Sequence, residues 1–76
     1  MRYFRRRWDD ARAVYYFATD ETGMVREQVE VYDDGDVLSY DEDRPSDERG
    51  SLSDQRLDLA EMAAYEIDEA TYRSRA

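Results

Sequence analysis

The stretch from Val25 to Tyr40 limits what this chain can become more than any other. In Val25-Arg26-Glu27-Gln28-Val29-Glu30-Val31-Tyr32 the valines at 25, 29 and 31 fall on one face of a period-two strand, and Arg26, Gln28 and Glu30 fall on the other. Asp33-Asp34-Gly35 follows, with a glycine able to take the positive φ that tight hairpin loops need. Asp36 to Tyr40 is therefore expected to pair back antiparallel.

Met1 to Trp8 reads as a first strand, with Phe4 and Trp8 on one face and Tyr3, Arg5 and Arg7 on the other, interrupted by Arg6. Its charge suits a sheet edge, where pairing between molecules must be discouraged. Ala13 to Thr19 is rich in β-formers, with aromatic rings on both faces, and reads as a central strand. Gly23 is placed for a left-handed turn before the hairpin. Residues 1–40 thus give a four-stranded antiparallel meander.

From Asp41 to Ser51 the apolar signal vanishes, which reads as a solvated acidic loop. Beyond it, Leu52, Leu59, Met62 and Ala63, flanked by Leu57 and Tyr65, fit a helical stripe that Ser51 or Ser53 could cap. Asp68 caps a short terminal helix, with Ile67 just before it and Tyr72 four residues inside, the spacing of a hydrophobic staple. Ser74 to Ala76 should fray. The expectation is a single α+β domain over residues 1–76: a sheet (1–40), an acidic loop (41–51) and a helical cover (52–76). Both helices are expected on the face that bears Val29 and Val31.

A domain of 76 residues buries only roughly 60% of the surface its unfolded chain exposes. With no cysteine and no histidine, neither a disulfide nor a thiolate or imidazole metal site can reinforce it. The longest apolar run, Ala13 to Ala18, is far short of a membrane span, and Arg5 to Asp10 is charged where a signal peptide needs an apolar core. The expectation is a cytoplasmic protein, without a membrane association.

The formal charge of −9 is uneven: residues 1–12 hold five Arg against two Asp, and the remainder holds six Arg against eighteen acids. Arg2, Arg5, Arg6, Arg7 and Arg12, interleaved with Tyr3, Phe4 and Trp8, are groups that a single-stranded nucleic acid surface would use. The net charge opposes a polyanion, and the same arginines could simply pair with Glu27 or Glu30 across strands. Asp33, Asp34, Asp36, Asp41, Glu42, Asp43, Asp47 and Glu48 gather oxygens near the hairpin. Their spacing lacks the twelve-residue calcium loop with its glycine and closing glutamate, so no metal and no cofactor is expected. Nor is there a nucleophile elbow or a glycine-rich phosphate loop, and twenty acids make any carboxylate pair uninformative, so no enzyme activity is expected. The reading is a non-catalytic protein-binding module, as monomer or homodimer, whose acidic field meets a basic protein partner. Its candidate partner-binding residues are Tyr3, Arg5, Arg7, Tyr16, Glu30, Asp33, Asp34, Asp36, Asp41, Glu42 and Asp43, with single-stranded nucleic acid binding through the basic first strand as the alternative.

The order of features is similar to that of a family of small bacterial domains of unknown function. Its members carry an early strand ending in Trp, a strand pair joined through a Val-Glu-Val-Tyr-Arg-Asp-Gly-like segment, and an Ile-Ser-x-x-x-Phe-like terminal cap. The matching residues are Trp8, then Val29 to Gly35, then Ile67-Asp68 with Tyr72; the chain departs at Asp33, where the family more often has Arg, and is shorter between hairpin and helix. The resemblance implies an α+β fold. Relatives beside toxin genes imply an immunity role, an acidic inhibitor set against a basic toxin.

Overall fold

The computed structural model describes residues 1–74. Four strands form the expected meander: β1 (Arg2–Trp8), β2 (Ala13–Thr19), β3 (Val25–Tyr32) and β4 (Val37–Asp41). A small hairpin, β5 (Ser46–Asp47) with β6 (Gly50–Ser51), lies within the acidic loop. Then come α1 (Leu59–Met62), a 3-10 turn at Ala63–Tyr65, β7 (Glu66–Ile67) and α2 (Glu69–Arg73). The main sheet has five strands in the order β4-β3-β2-β1-β7. The first strand is therefore not an edge. Tyr3 and Phe4 pair with Ile67 and Glu66, and the Arg2 guanidinium holds the Glu66 carboxylate at 2.8 and 3.0 Å.

The β3–β4 turn forms as the sequence requires, with Gly35 at φ 97° and the Tyr32 amide donating to the Asp36 carbonyl at 2.8 Å. The β2–β3 turn is tied by Asp20, whose carboxylate accepts from the Thr22 hydroxyl (2.6 Å), the Thr22 and Met24 amides (2.9 and 3.1 Å) and Arg26 (3.0 Å). Those bonds, the Thr22 hydroxyl foremost, favour the ionised form and hold this carboxyl well below the usual aspartate range. Gly23 takes φ 91° there and accepts from the Leu57 amide at 2.9 Å.

Register assigns the side chains to two faces. Phe4, Arg6, Trp8, Tyr15, Phe17, Gln28, Glu30, Leu38 and Tyr40 share one; Tyr3, Arg5, Arg7, Val14, Tyr16, Ala18, Val29, Val31 and Val37 share the other. The larger core is on the first. Phe4, Phe17, Val25 and Met62 are buried together, with Trp8, Tyr15, Leu52, Leu57 and Leu59 against them. Arg6, the break in the alternation of β1, lies between the Trp8 and Tyr65 rings at 4.9 and 4.6 Å and donates to Glu61 at 3.3 Å. The second face holds a smaller cluster of Tyr3, Ala18 and Tyr72, with Tyr16 and Ile67.

Two expectations fail here. The helices do not share the face of Val29 and Val31: α1 covers the Phe4 face and α2 the Tyr3 face. The long helix from Ser51 or Ser53 does not form either. Residues 52–58 form no regular element; the Ser53 amide donates to Gln28 Oε1 at 3.0 Å, and the cap of α1 is Asp58, which accepts from Ala60 and Glu61 at 3.0 and 3.2 Å. The Leu57 amide donates instead to the Gly23 carbonyl at 2.9 Å, the bond that a helix capped by Ser53 would have given to the Ser53 carbonyl, so apolar spacing did not become a helix. The terminal cap behaves as read: Asp68 Oδ1 accepts from the Thr71 amide at 2.7 Å, and Tyr72 is wholly buried. Ser74 closes α2 through bonds to Ala70 and Thr71, so it does not fray; Arg75 and Ala76 lie outside the described residues.

Glu30 is 6% exposed, accepting from Gln28 Nε2 at 2.7 Å and the Tyr32 hydroxyl at 2.6 Å. Proximity to that carboxylate and to Tyr15 pushes the Tyr32 phenol well above its ordinary range. By alternation alone, Val31→Asp should unfold the protein and Glu30→Val should be tolerated; burial reverses the ranking. Val31 is only half-buried, whereas removing the Glu30 acceptor strands buried donors. The expected result in urea melts is a loss of about 1–2 kcal/mol for Glu30→Val, with Val31→Asp still folded.

Candidate functional site

The chain's own segments cover most of the Phe4 face and only the Tyr3 end of the other. On the Phe4 face, the core cluster and α1 cover β1 and β2, and the β5–β6 hairpin reaches over β3 and β4. There the Tyr40 hydroxyl donates to Asp47 at 3.0 Å, Gly50 lies so close that a Cβ would stand 2.9 Å from the Tyr40 oxygen, and Leu38 and Tyr40 are buried. On the Tyr3 face the register gives three rows across the four long strands: Tyr3-Ala18-Glu27-Asp41, Arg5-Tyr16-Val29-Ser39 and Arg7-Val14-Val31-Val37.

The tail occupies the first row. The Tyr72 ring sits 4.8 Å from Tyr3 and 6.4 Å from Tyr16, its hydroxyl donates to Glu27 at 3.2 Å, and Arg73 reaches the same carboxylate at 3.0 Å while lying over the Tyr3 ring. No helix reaches the Arg7-Val14-Val31-Val37 row. Val14 and Val31 are half-buried by their neighbours, and Val37 is 53% exposed.

The candidate residues separate accordingly. Tyr3 is buried beneath the tail, and Glu30 is buried on the opposite face, so neither is accessible. Tyr16 is half-buried and bonded through its hydroxyl to Arg5 Nε at 3.2 Å; Arg5 itself is exposed and has no carboxylate partner among the described residues. Arg7 clamps both oxygens of Asp33 (2.9 and 2.8 Å) and holds Asp9 at 2.8 Å, which raises its own pKa and lowers that of Asp33. The arginines of β1 do not pair with Glu27 or Glu30, because β2 lies between; Arg2, Arg6 and Arg7 find Glu66, Glu61 and Asp33 instead.

The acidic set is split rather than gathered. Asp33, Asp34 and Asp36 sit at the turn that begins β4, and Asp41, Glu42 and Asp43 at its other end, all exposed. Asp36 pairs with Arg49 at 2.8 Å and Glu42 with Arg26 at 3.3 Å, while Asp34 and Asp41 accept backbone amides in their own turns. Among the described residues, no group of three acids could hold a metal ion. A shallow cleft of about 350 Å³ is lined by Met1, Arg26, Glu27 and Asp41 to Asp43, of which Arg26 pairs with Glu42 and Glu27 with Arg73.

What the sequence reading missed is the row Val14-Val31-Val37, half-buried at its first two positions and exposed at Val37. The signal was present in the turn: with Tyr32 bonded to Asp36, Leu38 must stand beside Glu30 and Tyr40 beside Gln28, so the large apolar groups of β4 fall on the carboxylate side. No helix among the described residues is long and apolar enough to cross a membrane. The chain matches no family model, no curated protein and no solved structure.

Proposed function

We propose that this chain is a non-catalytic protein-binding module that holds a basic partner protein against the uncovered rows of its sheet. The observation that carries the reading is the contrast between the faces: both α1 and the β5–β6 hairpin lie on the Phe4 face, while the row ending at Val37 is shielded only by its neighbours, with Val37 itself 53% exposed. An apolar centre rimmed by Arg5, Arg7 and Tyr16 has the composition of an interface core. Acidic groups at both ends of β4, on a chain of net charge −9, favour encounter with a cationic surface. The toxin-neutralising version, in a cytoplasmic setting, rests on the resemblance carried by Trp8, Val29 to Gly35 and the Ile67–Tyr72 cap. Nucleic acid binding through β1 is the weaker reading, since Arg2, Arg6 and Arg7 are already engaged by carboxylates.

The test is calorimetric titration with the basic proteins encoded beside this chain's gene, at low and high salt. Binding that weakens with salt and falls at least tenfold in Val31→Glu and Val37→Glu is expected, a change of about 1.4 kcal/mol or more. Absence of any such partner, or binding indifferent to both variants, overturns the reading. Single-stranded oligonucleotide binding lost on Arg5→Ala would install the alternative.

A further inference from the structure

The sheet is closed at one side and open at the other. Beside β1, the two residues of β7 supply a neighbour; beside β4 there is no strand among the described residues. Asp41 defines which way the backbone of β4 faces. Its amide donates to the Arg44 carbonyl and its carbonyl accepts from the Arg44 amide, both at 3.2 Å, on the side away from β3. Amide and carbonyl of one residue point the same way along a strand and alternate from residue to residue. Leu38 and Tyr40 therefore spend theirs on Glu30 and Gln28, and Ser39 and Val37 turn theirs outward, where no described residue meets them. The run Val37-Leu38-Ser39-Tyr40 carries no charge, proline or bulge, the devices that usually blunt an edge.

From this, and resting on the partner-binding reading above, we infer that the outer edge of β4 receives an extended basic segment of the partner as a sixth strand, paired through the backbone of Val37 and Ser39. Side chains of the added strand on the valine side would lengthen the Arg7-Val14-Val31-Val37 row. Its ends would lie beside Asp34 at one limit of β4 and Asp41 and Asp43 at the other, roughly 13 Å apart along β4 at the rise of a β-strand. Cations at those ends complete the match. A second copy fits worse. Two β4 edges meeting antiparallel about Ser39 would set Glu42 of each molecule opposite Asp36 of the other, between two bodies each of charge −9.

The probe is a synthetic ten-residue peptide with Lys at both ends and alternating Val and Thr between, beside the same peptide N-methylated at alternate residues, which keeps every charge and side chain. Amide exchange of the whole chain is read by nuclear magnetic resonance. The expected result is that the plain peptide slows exchange at Val37 and Ser39 at least tenfold and the N-methylated peptide does not. Ser39→Pro, which removes an outward amide and no bond to β3, should weaken the plain peptide at least tenfold with an unchanged circular dichroism spectrum. Equal binding of both peptides, with Val37 and Ser39 exchanging as before, overturns strand addition and leaves docking on the valine face standing. Failure of the plain peptide to bind overturns the inference while the titration with Val31→Glu still judges the wider reading. Protection of the same two amides that rises with protein concentration alone would give the edge to a second copy and overturn the basic segment.

Discussion

Gly23→Ala is expected to leave the protein largely unfolded in buffer where the parent is folded. Gly23 holds φ 91°, a region that costs a residue with a Cβ about 1–2 kcal/mol. The added methyl would also stand 2.5 Å from the Leu57 carbonyl oxygen, a backbone atom that cannot swing aside. Moving residue 57 breaks the Leu57 amide bond to Gly23, worth about 1 kcal/mol, and lifts Leu57 and Leu59 from the Phe4 cluster. The sum is on the order of 3 kcal/mol, most of the stability a domain this small commands. Gly35→Ala is the control: it has φ 97° but open space around it, so its loss should be only about 1 kcal/mol. Urea melts followed by circular dichroism decide the matter, and equal losses at the two glycines would mean that segment 52–58 does not cross Gly23.

Tyr72→Ala is expected to cost about 3–4 kcal/mol, the scale for emptying a fully buried aromatic site. Tyr72 is wholly buried, with its ring against Tyr3 and Tyr16 and its hydroxyl on Glu27. Without it Arg73 loses one of its two stacked rings, and Tyr3 returns to water. Tyr72→Phe keeps the ring and removes the hydroxyl that donates to Glu27, an expected loss of about 1 kcal/mol. If the alanine variant melts within about 1 kcal/mol of the parent, the tail does not hold this face.

The strand plan was readable because each cue was local. Alternation in Glu27 to Tyr32, the glycines at 23 and 35 and the Asp68–Tyr72 staple each act within a few residues, and each appears where the spacing put it; Val25, beyond the register shift at Ala18/Thr19, leaves the face of Val29 and Val31 for the Phe4 cluster. The helical cover was not, because apolar spacing cannot weigh a remote competitor: the Gly23 carbonyl, 34 residues back in the chain, takes the Leu57 amide. The buried face of β3 was misassigned for a related reason. Three valines outweigh a glutamine and a glutamate on any hydropathy count, yet Leu38 and Tyr40 on the neighbouring strand decide which side is roofed. Of the candidate surface, Arg5, Arg7, Tyr16 and the acids around β4 were within reach of composition. The bare valine row was not, since it is defined by what fails to cover it.

The pairing of β1 with β7 bears on how the molecule comes into being. Arg2 is joined to Glu66 across 64 residues, and Tyr3 gains both its strand neighbour Ile67 and its lid Tyr72 from the last part of the chain. During synthesis the meander of residues 1–41 can assemble early, yet its opening strand stays half-dressed until residues 66–73 have left the ribosome. Contacts of such long separation form late and slowly. A nascent chain stalled before Glu66 would carry an unpaired flank and a naked Tyr3, a species suited to chaperone capture rather than to work.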